Sequence, residues 1–271
     1  MKKRLFVAFV AVIILLTSAI PAFANVPTVE VSLRIEGKNS TLFYDKLSTN
    51  NQSNFNVLSM LTLADTKSDA ITIEGLNLGY ITAINGEKIG QTAGGQDGYV
   101  VRVNGEYLPY AQLSTYTLKN GDSILVYYAD EFERGMMFPI VDTDKLVSQR
   151  YLRFTYEEPS EDGKSVSNKS ISGATVKWYC DDVEFVYTTD GNGGVYIDKS
   201  AFTSGKHKLA LELYYEDGTP ALLRLTPDYT VSVPVGIGDT FTVFICAAAM
   251  IICAAAITLL SISLKKKKAE K

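Results

Sequence analysis

The stretch Gly98-Tyr99-Val100-Val101-Arg102-Val103-Asn104-Gly105 contains the pattern that decides the fold of the first half of the chain. Its β-branched and aromatic residues favour a strand, and the Asn-Gly pair suits a type I′ turn, in which both central residues have positive φ. A second stretch, Gly79-Tyr80-Ile81-Thr82-Ala83-Ile84-Asn85-Gly86, repeats the pattern. The sequence therefore predicts two tight hairpins.

The segments around these hairpins predict one helix and two further strands. Residues 29–36 alternate between apolar and polar side chains, as in a half-buried strand, and residues 124–128 form a second apolar strand. Between them, apolar side chains in residues 57–64 recur at helical spacing, with Asn54 or Asn56 available as the N-cap. A single helix packed on a mixed sheet is an α+β arrangement.

Three segments resemble, in the same order, the signature segments of the transcobalamin C-terminal-like domain, a domain of unknown function that recurs on bacterial surface proteins. They are residues 79–86, residues 98–105 and Thr117-Leu118-Lys119-Asn120-Gly121-Asp122. The resemblance implies a β-grasp (ubiquitin-like) fold for residues 25–130. In the animal vitamin B12 carriers the related domain caps the cobalamin. A corrinoid therefore enters as a ligand only through this resemblance, and the residues themselves indicate no cofactor.

A second β pattern occupies residues 150–234, after a charged connector at residues 131–149. Short strands at regular spacing without a helical stretch predict an all-β sandwich. Turn-rich segments such as Thr189-Asp190-Gly191-Asn192-Gly193-Gly194 resemble the Ig-like or prealbumin-like modules that space out bacterial surface proteins. We expect Trp178 to pack in the core of this module and Leu222–Leu225 to form one of its strands.

The first 24 residues have the three parts of a secretory signal peptide. A basic start at residues 2–4 precedes the apolar run Leu5–Leu16, and Ala22-Phe23-Ala24 supplies the small residues that signal peptidase requires. We predict cleavage between Ala24 and Asn25.

A predicted membrane anchor lies near the other end of the chain. Residues 241–264 carry no charge and would extend about 36 Å as a helix, enough to cross a hydrocarbon core of about 30 Å with some tilt. Residues 235–240 form a short juxtamembrane link, and the lysine-rich tail at residues 265–271 is expected in the cytoplasm. The pattern predicts a single-pass type I protein of the cell membrane, with the preceding domains outside.

This ending also resembles the cell-wall sorting signals of Gram-positive surface proteins. The segment Val233-Pro234-Val235-Gly236-Ile237-Gly238-Asp239 stands where those signals carry Leu-Pro-x-Thr-Gly. Gly236 occupies the position of the threonine whose carbonyl the sortase attacks, so the motif is degenerate. A plain membrane anchor is therefore favoured over wall attachment.

Composition and motifs argue against several functional classes. Both ends are basic, so the middle of the chain is more acidic than its net charge of −4 and lacks the basic stripe of a nucleic-acid binder. One histidine and three cysteines argue against the common metal centres, and we predict no metal site. Asp181-Asp182 is interpreted as a solvated turn and His207 as a strand residue. We therefore predict no catalytic residues and no enzymatic activity.

Three residues near the second hairpin form a candidate binding surface. In the predicted strand, Val101 and Val103 face the core, which leaves Arg102 on the open side of the sheet. Tyr107 and Tyr110 follow within a few residues of the turn. Flat apolar rings with hydrogen-bond donors are typical of binding hot spots. The alternative is that the tyrosines simply cover the sheet.

Two functions remain open at this point. The first is a non-enzymatic, membrane-anchored surface protein whose β-grasp domain binds a small ligand, a glycan or a protein. The second is a structural or assembly subunit of a membrane or envelope complex, without a ligand of its own. The partner is accordingly an unidentified surface ligand or envelope protein, and nucleic acid is not expected. An exposed aromatic patch on the first domain would favour binding, whereas an apolar patch on the second would favour assembly.

Overall fold

The computed structural model describes residues 28–50, 55–91, 95, 97–130, 134–160 and 165–234. The predicted signal peptide with its cleavage site at Ala24 and Asn25, and the predicted span with its basic tail, lie outside these residues. Within the described ranges, no helix is both long enough and apolar enough to cross a membrane. The described residues fold as two β-rich units, which we call the first module (residues 28–130) and the second module (residues 134–234).

Five strands of the first module form one mixed sheet in the order β2-β1-β8-β6-β7. They are β1 (Val29–Glu36), β2 (Thr41–Thr49), β6 (Gly98–Val103), β7 (Glu106–Tyr107) and β8 (Ser123–Ala129). β1 and β8 run parallel in the middle of the sheet, and the other neighbouring strands are antiparallel. A small separate sheet joins β3 (Ile73–Glu74), β4 (Ala83–Ile84) and β5 (Glu87–Lys88). The helix α1 (Val57–Lys67) contributes its apolar face to the core that β1, β6 and β8 also line.

Local sequence signals explain where these elements begin and turn. Asn56 is the N-cap of α1: its side-chain oxygen accepts from the Ser59 N–H at 2.9 Å, and the Ser59 hydroxyl accepts from the Asn56 N–H at 3.2 Å. Both predicted Asn-Gly hairpins are confirmed, with φ of 50° at Asn85 and 52° at Asn104. The glycine after each asparagine also has positive φ, as the type I′ turn requires.

The second module consists of two four-stranded antiparallel sheets that share one core. One sheet contains β9 (Ile140–Asp142), β10 (Tyr151–Pro159), β11 (Val166–Ser170) and β14 (Gly194–Tyr196). The other contains β12 (Thr175–Cys180), β13 (Val183–Thr188), β15 (Gly205–Glu212) and β16 (Thr230–Val233). Trp178 is fully buried in the core, as predicted, where its ring stacks on His207 and its indole N–H donates to the Ala201 carbonyl at 2.9 Å.

Two predictions for this half of the chain differ from the structure. The connector predicted at residues 131–149 contributes β9 and a short helix, α2 (Leu146–Gln149), whose Leu146 is buried in the core of the second module. The strand predicted at Leu222–Leu225 is absent: Leu222 makes one isolated bridge to Met137. Leu222 is nevertheless buried in the core of the second module, whereas Leu223 packs against the first module.

The modules meet at a cluster of buried charges. Arg34 and Glu36 lie on the face of β1 that the alternation predicted to be open, but Arg224 of the second module covers them and Glu36 is only 2% exposed. The Glu36 carboxylate accepts from Arg34 Nε at 2.7 Å and from Arg224 Nε at 3.0 Å. Beside the charges, Val100 and Tyr127 of the first module pack with Leu223 of the second. This contact joins the modules through both charged and apolar groups.

Candidate functional site

A cleft of about 340 Å³ opens along one edge of β6. Residues 99–102 of β6 line it, together with Tyr107, Leu108 and Tyr110. β7 is only two residues long and pairs with Arg102 and Val103, so the first part of β6 has no strand neighbour on that side. A cleft of this size, lined mainly by apolar and aromatic residues, is in the range of small-molecule sites. The structure therefore brings Arg102, Tyr107 and Tyr110 together around one opening.

Tyr110 closes the wall of the cleft next to β6. It begins a 3-10 turn (Tyr110–Gln112) directly after Pro109, and its hydroxyl donates back to the Tyr99 carbonyl. Its ring centroid lies 6.3 Å from that of Tyr80. Burial raises the pKa of Tyr110 well above its ordinary value, so the hydroxyl stays neutral.

Tyr107 forms the rim of the cleft. It lies on β7 opposite Arg102, and 51% of its surface is exposed. Leu108 follows it and is buried. The Leu108 backbone N–H donates to the Val101 carbonyl at 2.8 Å, which holds the chain against β6. The rim tyrosine is therefore presented by a backbone that is fixed on either side.

Arg102 is more enclosed than its strand position predicted. Its guanidinium donates to the Tyr127 hydroxyl at 2.9 Å and to the Gly105 carbonyl at 3.0 Å. It also lies 4.8 Å from the ring centroid of Phe138, which belongs to the second module. The expected open side is partly covered here, since the second module packs against the same face of the sheet. Val101 and Val103 are buried in the core, as predicted.

Tyr99, which lines the cleft, and its strand neighbour Tyr128 each bond to a carboxylate. The Tyr99 hydroxyl donates to Glu87 at 3.2 Å, and Tyr128 donates to the buried carboxylate of Asp97. Burial, with the nearby Glu87 charge, raises the pKa of Tyr99 far above its ordinary value. The two tyrosines of β6 and β8 contact each other edge to face, with centroids 5.2 Å apart. These contacts hold the Tyr99 ring in place at the wall of the cleft.

Sequence reasoning missed three contributors to this surface. Tyr99 and Leu108 line the cleft, and Tyr80 extends its aromatic surface past Tyr110. Pro109 is the available signal: proline cannot donate to a strand ladder, so it ends β7 early and exposes the edge of β6. Leu78, two residues before Tyr80, is 63% exposed and adds to the apolar surface of the first module.

The other residues weighed as chemical groups have structural roles. Asp181 and Asp182 form the exposed turn between β12 and β13, both with positive φ. His207 is buried, with Nε2 2.7 Å from the Thr203 carbonyl. In the part of the chain that the structure describes, no three side chains of the metal-ligating types cluster together.

Comparison with known proteins finds a similarity over part of the chain. Residues 54–130 match the model of a domain of unknown function, DUF4430. Among solved structures, haptocorrin in complex with Cbi is similar at 24% identity and a TM-score of 0.31. That match covers 40% of this chain and 26% of the haptocorrin chain, so this chain spans about a quarter of it. No curated protein matches the chain. The match thus spans most of the first module, including the residues that line the cleft.

Proposed function

We propose that this chain is a non-enzymatic, membrane-anchored surface protein whose first module binds a small ligand in the cleft beside β6. One observation carries the proposal: β7 ends after two residues and leaves an aromatic cleft of about 340 Å³ against a strand edge. Small-molecule sites are typically concave, mostly apolar and already formed before binding. The exposed rings of Tyr80 and Tyr107 on this module support binding rather than assembly.

We assign a β-grasp fold to the first module as part of this proposal. Its support is the strand order, in which the first and last long strands, β1 and β8, are parallel neighbours at the centre of the sheet. The helix α1 shares one core with that sheet. For the second module, the two antiparallel sheets around one core support an Ig-like or prealbumin-like spacer.

The proposed location rests on the sequence at both ends. The signal-like residues 1–24 and the uncharged residues 241–264, with lysines at residues 265–268, support export followed by anchoring. The described part of the second module ends at Pro234, six residues before the proposed span. In this arrangement the second module lies next to the membrane and the first module extends beyond it.

Assembly into an envelope complex is a second candidate function, and a different surface supports it. Val183 and Val186 are exposed on β13, which is an edge strand of its sheet. Exposed apolar edge strands are templates for pairing with another chain. A partner docked there would use the second module rather than the cleft.

One set of binding experiments on the purified full chain distinguishes ligand binding from assembly. Thermal-shift and equilibrium-binding measurements use a panel of small molecules that includes corrinoids and haem, and a pull-down uses envelope extract. For a small-molecule ligand we expect Tyr107→Ala to weaken binding by about 1–3 kcal/mol, whereas Tyr44→Ala, a second exposed tyrosine on the same module, leaves it unchanged. A protein captured by the native chain and by Tyr107→Ala, but lost in Val186→Lys, would instead favour assembly.

A further inference from the structure

We infer that the cleft beside β6 accepts a neutral, planar, apolar ligand, such as a fused aromatic ring system, and discriminates against charged ligands. This inference rests on the proposed function and specifies its ligand class. It depends on three properties of the lining: β6 carbonyls that already accept hydrogen bonds, a cationic side chain that is already engaged, and aromatic rings at the opening.

The backbone carbonyls of β6 that face the cleft already accept hydrogen bonds. The Val101 carbonyl accepts from the Leu108 N–H at 2.8 Å, and the Tyr99 carbonyl accepts from the Tyr110 hydroxyl. A ligand that needed these carbonyls would have to break a protein hydrogen bond first, which leaves a partly buried group unpaired. The wall therefore offers contact area rather than hydrogen-bond acceptors.

Among the described residues that line the cleft, the one cationic side chain is likewise engaged. Arg102 donates to Tyr127 and to the Gly105 carbonyl, and it lies over the ring of Phe138. A ligand anion would have to compete with these contacts. A ligand cation would meet the Arg102 charge at the wall. Because an unpaired charge is costly to move out of water, both kinds of ion are disfavoured relative to a neutral molecule.

Aromatic rings supply the favourable contacts. Tyr107 presents an exposed ring at the rim, and Tyr110 and Tyr80 extend the aromatic surface along one side. Tyrosine rings pack well against other planar rings in offset or edge-to-face arrangements. A volume of about 340 Å³ accommodates a fused ring system but not a long polar chain.

Two fluorescent probes that differ by one charge test this inference. N-phenyl-1-naphthylamine is neutral, and 8-anilinonaphthalene-1-sulfonate is the same ring system with a sulfonate. Both probes are titrated against the full chain at one fixed detergent concentration. The fluorescence titration of each probe is compared with the same titration of Tyr107→Ala in the same buffer, which subtracts the signal of probe taken up by micelles. We expect the neutral probe to bind about tenfold or more tightly than the sulfonate.

Matched variants assign the signal to the cleft. Tyr107→Ala is expected to lower the affinity for the neutral probe by about fivefold or more, whereas Tyr107→Phe, which keeps the ring, is expected to retain that affinity. Tyr44→Ala, which alters a separate cleft between the modules, is expected to leave it unchanged. Equal or tighter binding of the sulfonate, or a neutral-probe affinity that does not depend on Tyr107, would overturn the inference. A charged ligand whose binding requires Tyr107 would also overturn the inference, but it would leave the proposed function intact. If binding of no tested ligand depended on Tyr107, both the inference and the proposed function would be wrong.

Discussion

Arg34 and Arg224 both donate hydrogen bonds across the boundary between the modules, each guanidinium to backbone carbonyls of the other module. Arg34 donates to the carbonyls of Arg224 and Leu225, at 2.5 and 3.1 Å. Arg224 donates to the carbonyls of Gly37 and Lys38, the latter at 3.0 Å. The Glu36 carboxylate lies between the two guanidinium groups and binds both. This reciprocal contact fixes the orientation of one module against the other.

Replacing the shared carboxylate should destabilise the chain. In Glu36→Gln two largely enclosed guanidinium groups lose their buried counter-charge, and removing one partner of a buried ion pair typically costs about 3–5 kcal/mol. The measurement is the free energy of unfolding in urea. Glu30→Gln is the control, since Glu30 is in an exposed pair with Lys46 and such pairs contribute about 0–1 kcal/mol. An equal loss of unfolding free energy in the two variants would contradict a structural role for the Arg34–Glu36–Arg224 cluster.

The Tyr110 hydroxyl should stabilise the wall of the cleft. Tyr110→Phe leaves the Tyr99 carbonyl without its donor, and an unsatisfied buried acceptor costs about 1–3 kcal/mol. Tyr107→Phe, which alters an exposed ring, is expected to change the free energy of unfolding by less than about 0.5 kcal/mol. Thermal denaturation of both variants checks the difference. An unchanged free energy of unfolding in Tyr110→Phe would show that the hydroxyl is hydrated rather than bonded to the Tyr99 carbonyl.

Acid should weaken the link between Arg134 and Asp217. Hydrogen bonds from the Arg134 guanidinium and from the Thr219 N–H lower the pKa of Asp217 to about 2. Because this carboxyl has a pKa of about 3.9 in an unfolded chain, the unfolded state binds more protons between these values. Stability from this group is therefore complete above about pH 4 and is lost as the pH falls toward 2.

Asp217→Asn tests that pH dependence directly. The variant cannot titrate at this position, so its free energy of unfolding should fall less steeply than that of the native chain between about pH 4 and 2. Urea denaturation at a series of pH values gives both curves. Identical slopes would show that Asp217 has the same pKa in the folded and unfolded states.

Processing and anchoring form a further prediction. Because Ala22-Phe23-Ala24 precedes the predicted cleavage site, we expect the intact mass of the exported chain to correspond to a start at Asn25. Because Gly236 replaces the sortase threonine, we expect detergent to extract the protein from cells. A chain that retains Met1, or release only by enzymes that digest the cell wall, would contradict this account.

Short-range signals predicted the elements that depend on neighbouring residues. The Asn85 and Asn104 turns, the Asn56 cap and the buried side of β1 all follow from conformational preference or side-chain periodicity over a few residues. These interactions form within one element or one hairpin, so the local sequence contains the information that specifies them.

Long-range contacts explain what the sequence did not predict. Arg34 and Glu36 follow the polar side of the alternation, yet Arg224, almost two hundred residues away, covers them. No periodicity within β1 distinguishes a solvated polar face from one that binds a second module. The Tyr107 and Tyr110 surface was predicted from composition, but the cleft arises because the Tyr110 hydroxyl returns to the Tyr99 carbonyl, a contact that residue type alone does not specify.

Hydrogen exchange of the full chain, followed by mass spectrometry with and without the ligand recovered from the binding panel, tests the central claim most directly. If the ligand occupies the cleft beside β6, amide exchange should slow in peptides from residues 98–113 and remain unchanged in peptides from residues 205–228. Slower exchange in residues 183–188 or 205–228 alone, with residues 98–113 unaffected, would contradict the assignment of the binding site to the first module.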